Sequence, residues 1–285
     1  MAQRQFKQTV KALEVTEGAG VTVFRTIGTP QLKNLDPFLM LDFFCSNDPD
    51  DYIAGFPDHP HRGFNTLTYM LDGRMQHRDS MGNKGDLRSG GAQWMKAASG
   101  VIHSEMPKQE QGLMRGFQLW INLPASEKMS APAYQEFSPE AIPEVNEAGT
   151  RVRVLLGQYR NTVGPINDQI TDVQYMDVSL EPGKTFLHAL PQELDGFVYI
   201  FEGDAVSDDT ALPQHTFAVL GEGDTLEISA TDQPVRFIMV AGKPIGEPIV
   251  QYGPFVMNTT EEIHQAMNDY HAGKLVREKA AMTGS

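Results

Sequence analysis

Short runs of aliphatic, aromatic and β-branched residues recur along the chain, separated by glycines and polar clusters. Val21 to Arg25, Pro37 to Phe44, Phe64 to Leu71, Gln93 to Ala97 and Gly116 to Leu123 are such runs. Their lengths and residue types are those of β-strands. Many short strands with turn residues between them predict an all-β sandwich or barrel, not alternating βαβ units. Asp72-Gly73 sits between LTYML and RMQHR, and Asp-Gly is a favoured two-residue hairpin turn. FVYIF followed by Glu202-Gly203 has the same form, and Gly73 and Gly203 lie 130 residues apart, about half the chain. This predicts one β-domain used twice.

The segment from Pro124 to Thr150 carries four prolines, many charges and few aliphatics, so a connector with little regular structure is expected there. RVRVLLGQY then opens the second half with a strand. The period changes only near the end. Thr259-Thr260-Glu261-Glu262 has the form of a capping box, with Thr259 as N-cap and Glu262 reaching back. Ile263, Ala266, Met267 and Tyr270 follow at helical spacing, and Gly273 supplies the stop. The apolar stripe of this helix is expected to pack on a barrel.

The candidate chemistry lies in two tripeptides, His59-Pro60-His61 and His103-Ser104-Glu105. In extended backbone, residues i and i+2 project from one face, so each tripeptide offers two donors in one direction. Three imidazole nitrogens and a carboxylate oxygen suit a divalent first-row transition metal. Fe(II) fits this set, with Mn, Ni, Co, Cu or Zn as substitutes. Four protein donors leave room for further ligands on an octahedral ion, which distinguishes a catalytic from a purely structural metal. In GFQLWIN, Gln118, Trp120 and Asn122 share a face, and Gln118 could reach a group bound at such a site. Phe44, Phe56, Phe64, Trp94, Met106 and Trp120 are candidate walls for a flat apolar slot.

Composition narrows the class. The 285 residues are 40% hydrophobic, enough for one large or two ordinary β-domains and against general disorder. A formal net charge of −14 repels phosphate backbones, so direct nucleic-acid binding is disfavoured. The single cysteine, Cys45, precludes an internal disulfide, fits a reducing compartment and reads as a small buried hydrophobe. No apolar stretch reaches the length of a membrane span, and the N-terminus lacks the core of a signal peptide. A cytoplasmic protein without membrane partners is expected.

The residues themselves carry a family resemblance. GFPDHPHRGFNTLTYMLDG resembles the first motif of cupins, and GDLRSGGAQWMKAASGVIHSEMP the second. LDPFLMLDFF, HRDSMGNKGDL, SGVIHSEMP, GFQLWINLP and GPFVMNTTEEI resemble the pirin family more narrowly. Most cupins place a glutamate shortly after the second histidine, but Gly63-Phe64-Asn65-Thr66-Leu67 holds no carboxylate. In pirins Glu105 takes that place. The resemblance therefore implies a bicupin: two tandem jelly-roll barrels and a C-terminal helix, with domains at 1–130 and 131–285. It implies one metal in the first domain, held by His59, His61, His103 and Glu105. Counting back from Gly203 as from Gly73, His59 and His61 fall on Ala189 and Pro191, and His188 stands alone, so the second barrel is expected to lack a metal. His77-Arg78-Asp79 reads as a hydrogen-bonding motif and not as a ligand set, and His264 and His271 as exposed helix residues. Some pirins are similar in activity to quercetin 2,3-dioxygenase. That implies a flavonol, a planar phenol, and dioxygen as substrates, with Glu105 as general base. The rival implication is a non-catalytic, metal-binding regulator acting through a protein partner, transcriptional or metabolic.

Overall fold

The structure, a computed structural model, describes residues 2–168, 170–277 and 282–283. Each of the five apolar runs forms a strand, at Val21–Ile27, Phe38–Ser46, Phe64–Asp72, Ala92–Lys96 and Met114–Asn122. The helix spans Thr260–His271, and both bonds of its capping box are present. Ile263 and Ala266 are buried, Met267 is partly buried, and Tyr270 faces solvent. Asp269 also lies on the buried side, which an apolar stripe does not announce. His264 and His271 are exposed.

The chain forms two compact units, each built around a large and a small sheet, with a two-stranded sheet besides. In one, the large sheet orders Leu13–Glu17, Val21–Ile27, Phe38–Ser46, Met114–Asn122, Phe64–Asp72, Ala92–Lys96 and Ala133–Phe137, with Met282–Thr283 at its edge. Its small sheet orders Phe56–His61, Val101–Pro107, Arg74–Asp79 and Lys84–Arg88. In the other unit the large sheet orders Phe6–Lys11, Thr216–Leu220, Asp195–Glu202, Val235–Gly242, Gln174–Leu180, Thr150–Leu156 and Glu144–Glu147. Its small sheet orders Thr185–Ala189, Thr225–Ala230, Ala205–Ser207 and Thr210–Leu212. Both small sheets place their first, fourth, second and third strands in that order, so the repeat seen in the turns is a repeat of topology.

Three expectations change. Asp72-Gly73 and Glu202-Gly203 do not close hairpins. The strands before them belong to the large sheets and the strands after them to the small ones, so each is a corner where the chain changes sheet. Gly73 and Gly203 have φ of 96° and 69°, the left-handed region that favours glycine at such a bend. The Pro124–Thr150 segment contains strands at Ala133–Phe137 and Glu144–Glu147 and a 3-10 turn at Pro139–Ala141, with the Tyr134 ring fully buried. A single cut at 130/131 does not describe the units. One comprises Glu14–Gly28, Phe38–Ala141 and Ile245–Ser285, and the other Met1–Leu13, Thr29–Pro37 and Ile142–Pro244. The N-terminal strand thus edges the second barrel's large sheet, and the C-terminal helix packs within the first unit. Cys45 is half-buried, a smaller departure from the buried hydrophobe expected.

The interiors differ in chemistry. The second barrel is filled by an apolar cluster including Val154, Met176, Phe186, Ile200, Ile228 and Phe237. The first buries Thr66, Thr68, Gln93, His77 and His103 as well as apolar side chains. Buried polar groups are costly unless bonded, so their concentration in one barrel locates the chemistry.

Candidate metal centre

Phe56–His61 and Val101–Pro107 are neighbouring antiparallel strands, with Val101 opposite His61 and His103 opposite His59. Alternation turns His59 and His61 to one face, and the register sets His103 beside them. Ring centroids are 4.7 Å apart for His59 and His61, 4.3 Å for His59 and His103, and 4.9 Å for His61 and His103. One ring nitrogen from each lies within 4.8 Å of the other two. The register shifts between His103 and Glu105. Glu105 falls in an adjoining group of equal spread with His103 and His77, so it meets the three-histidine group through His103. From the large sheet, Thr68 Oγ1 donates to its Oε1 at 3.0 Å and Gln118 Nε2 to its Oε2 at 2.7 Å.

His61 and His103 are 2% and 1% exposed. Burial pushes both imidazoles well below the ordinary histidine value, and neighbouring imidazoles push the same way. Both are therefore neutral at neutral pH and carry ring lone pairs. Neither nitrogen of His61 has a hydrogen-bond partner, nor has Nε2 of His103. The Pro254 carbonyl approaches His61 without hydrogen-bond geometry. A buried polar atom left unpartnered costs about 1–3 kcal/mol. Converging lone pairs are what a divalent cation would satisfy, so the residues present fit such an ion.

The surrounding bonds orient these rings. His59 donates from Nδ1 to the Pro57 carbonyl at 2.8 Å, which leaves its Nε2 lone pair available. His103 Nδ1 lies 3.4 Å from His77 Nδ1. Gln93 Nε2 donates to that His77 nitrogen at 2.7 Å, and His77 Nε2 faces Asp79 Oδ2 at 3.2 Å. Both nitrogens of His77 are thus engaged, as the hydrogen-bonding reading of His77-Arg78-Asp79 expects. Asp79 also accepts the backbone N–H groups of Met81 and Asn83. Burial works to raise its carboxyl, but the bonds from His77 and Asn83 outweigh it and hold Asp79 below the ordinary value.

A cavity of about 570 Å³ opens beside His59 and His61, walled by Met40, Phe56, Gln118, Trp120 and Pro254. That volume is in the range of small-molecule sites. Of the six candidate wall residues, Phe56 and Trp120 line it, and Phe64 stacks behind Trp120 at 4.2 Å. Phe44, Trp94 and Met106 do not line it. Asn122 leaves the cavity face and accepts from the Lys128 ammonium at 2.6 Å.

Sequence reasoning passed over one part of this wall. Arg25 Nε and Nη2 donate to Asp42 Oδ1 and Oδ2 at 2.7 and 2.6 Å, and Arg25 Nη1 lies 2.7 Å from Glu17 Oε1. Burial lifts the Asp42 carboxyl above its ordinary value despite the pull of Arg25. Part of the signal was available, since each charge interrupts an apolar run; the register that sets the two residues face to face comes from the fold. In the second barrel, the strand pair corresponding to the site sets Phe186 opposite Ile228, and His188 meets Gln174 Oε1 at 2.8 Å. Burial lowers His188 to about 4.

Two tandem jelly-roll barrels, with buried imidazoles converging in the first, define a bicupin with a metal-type site. Residues 20–121 match the Pirin family, and residues 175–276 match the pirin C-terminal cupin domain. The chain belongs to the pirin family. It is 46% identical to a pirin-like protein of Caulobacter vibrioides over 277 residues, covering 96% of this chain and 100% of that one. It is also 46% identical over 268 residues to a Pseudomonas aeruginosa protein provisionally named quercetin 2,3-dioxygenase, covering 91% and 94%. The crystal structure of quercetin 2,3-dioxygenase from Acinetobacter baumannii matches with a TM-score of 0.89 at 33% identity, covering 96% of this chain and 99% of that one. Among the described residues, no helix is long and apolar enough to cross a membrane.

Proposed function

We propose that this chain is a metal-dependent dioxygenase of pirin type that opens flavonols such as quercetin with release of carbon monoxide. His59, His61, His103 and Glu105 would hold one divalent metal, and Fe(II) suits their donor set. The observation that carries the reading is a pair of buried, neutral imidazoles, His61 with neither nitrogen partnered and His103 with Nε2 unpartnered, of which His61 lines a cavity of small-molecule size. The names of the Pseudomonas and Acinetobacter relatives support the choice of a flavonol.

When bound, the metal supplies Lewis acidity at which a phenolic oxygen and dioxygen can meet. The chain's own residues do the remainder. Met40, Phe56 and Trp120 offer apolar surface to a flat ring system and exclude water around it. Gln118 lines the cavity and holds Glu105 Oε2, so it ties the substrate space to the carboxylate. Glu105 accepts the proton of the flavonol 3-hydroxyl as that hydroxyl takes the place of Gln118 at Oε2. Thr68 keeps the other oxygen fixed meanwhile.

The test joins metal analysis to turnover. The wild-type protein should carry about one transition metal per chain, and His59→Ala, His61→Ala and His103→Ala should lose it. The metal-loaded protein should consume quercetin with oxygen uptake and carbon monoxide release. Full occupancy in all three variants would overturn the ligand assignment. Bound metal without turnover under Fe, Mn, Ni, Co or Cu loading would overturn the enzyme reading in favour of a non-catalytic regulator. Metal-replete Glu105→Gln with undiminished turnover would remove Glu105 as base.

A further inference from the structure

We propose that Glu17, Arg25 and Asp42 form a specificity wall in the cavity, which admits uncharged, hydroxyl-bearing planar ligands and turns away anionic ones, with Glu17 accepting a ligand hydroxyl. The proposal rests on the dioxygenase reading of this cavity and names the ligand class it takes. Apart from the histidines, Arg25 is the one cation among the described residues lining the cavity, against the carboxylates Glu17, Asp42 and Asp58. An arginine in a ligand cavity ordinarily clamps a carboxylate or phosphate through its planar fork. Here the fork is already taken: Nε and Nη2 are held by Asp42, and Nη1 by Glu17. Asp42 spends both oxygens on the same guanidinium and is itself buried. Arg25 is therefore built into the wall.

Glu17 is different. Its side chain is 38% exposed and lines the cavity, and its contact with Arg25 runs through Oε1, so its carboxylate can also accept from a ligand. A ligand hydroxyl donating to this carboxylate forms a charge-assisted hydrogen bond. A sulfate or carboxylate in the same place meets a carboxylate excess with no open cation, and it must also shed water to enter. That a ligand comes here at all follows from the same observation that carries the dioxygenase reading. His61, almost fully buried, lines this same cavity with both ring nitrogens unpartnered. The flat apolar surface between the two ends, Met40, Phe56 and Trp120, suits an aromatic ring system.

The experiment uses the full-length, Fe(II)-loaded protein under nitrogen, so that binding is read without turnover. Quenching of tryptophan fluorescence reports occupancy, because Trp120 lines the cavity. The probes are quercetin and a quercetin sulfate esterified on the ring remote from the 3-hydroxyl. Quercetin should bind at least about tenfold more tightly than the sulfate. Glu17→Gln should weaken quercetin, strengthen the sulfate and cut that ratio to about threefold or less. Glu222→Gln, an exposed change in the other unit, should leave the ratio alone and so controls for net charge. Equal or tighter binding of the sulfate by the wild type overturns the wall, and so does an unchanged ratio in Glu17→Gln. Either result, with quercetin still turned over in air, leaves the dioxygenase reading standing. Failure of both probes to bind overturns the two together.

Discussion

Lys128 is the sharpest test of how the first barrel is held together. Its side chain is 1% exposed, and its ammonium donates to the Gly63 carbonyl at 2.7 Å, Asn122 Oδ1 at 2.6 Å and the Val256 carbonyl at 3.0 Å. These acceptors come from the turn after His61, the end of the Met114–Asn122 strand and the strand before the helix. Burial lowers the lysine to about 8, partly offset by Glu247 and Glu262. A drop from the usual 10.5 to about 8 corresponds to about 3 kcal/mol against the charged form. Three bonds from a charged donor contribute about 1.5–3 kcal/mol each. Lys128→Met keeps the apolar stem and strands the three acceptors, so the barrel should lose about 2–6 kcal/mol at neutral pH.

The assay is urea unfolding followed by tryptophan fluorescence. Both tryptophans of the chain, Trp94 and Trp120, lie in the unit that contains Lys128, so the signal follows that barrel. A second arm varies pH. Lys128 has a depressed folded pKa, so between about 8 and 10.5 the unfolded chain binds more protons than the folded one. Stability from this group therefore rises with pH across that window and is lost as pH falls back towards 8. The gap between wild type and Lys128→Met should widen over the same window, by up to about 3 kcal/mol. A midpoint change worth less than about 0.5 kcal/mol, the size of a neutral surface substitution, would refute the reasoning. So would a gap that shrinks as pH rises from 8.

Two further substitutions probe the same barrel. Arg62, 1% exposed, donates to Asp269 Oδ2 at 2.8 Å and to the Ser99 carbonyl at 2.7 Å, so Asp269→Ala leaves a buried guanidinium without its carboxylate. A loss of about 3–5 kcal/mol is expected, read as faster hydrogen exchange across Thr260–His271; unchanged protection would show that the helix does not depend on this pair. Gly63 has φ of 93°, and an added Cβ would sit 1.9 Å from the Val256 carbonyl oxygen. Gly63→Ala should therefore cost more than about 2 kcal/mol, and a wild-type urea midpoint would contradict the close approach.

Some of this protein is local physics, and the sequence alone carries it. Two-residue spacing in extended backbone turns His59 with His61 to one side, and the cap at Thr259 and stop at Gly273 bound the helix, because each depends on neighbours in the chain. The five strands were legible for the same reason. What depends on distant partners was not. Nothing near Asp72-Gly73 distinguishes a hairpin from a corner between sheets; only the partners of the flanking strands do. Nothing within Phe6–Lys11 says that it pairs with Thr216–Leu220, or within Thr260–His271 that it packs in the unit holding His61. Ala133–Phe137 looked like connector because prolines and charges surround it, yet its backbone pairs with Ala92–Lys96. Sequence order supplied the metal-type donors, but burial decided their state: His61 and His103 are neutral, and each keeps an unpartnered ring nitrogen, because the barrel closes over them. The same closure turns Lys128 and Arg62, two ordinary surface residue types, into buried struts, and it sets Arg25 against Asp42 in the cavity wall.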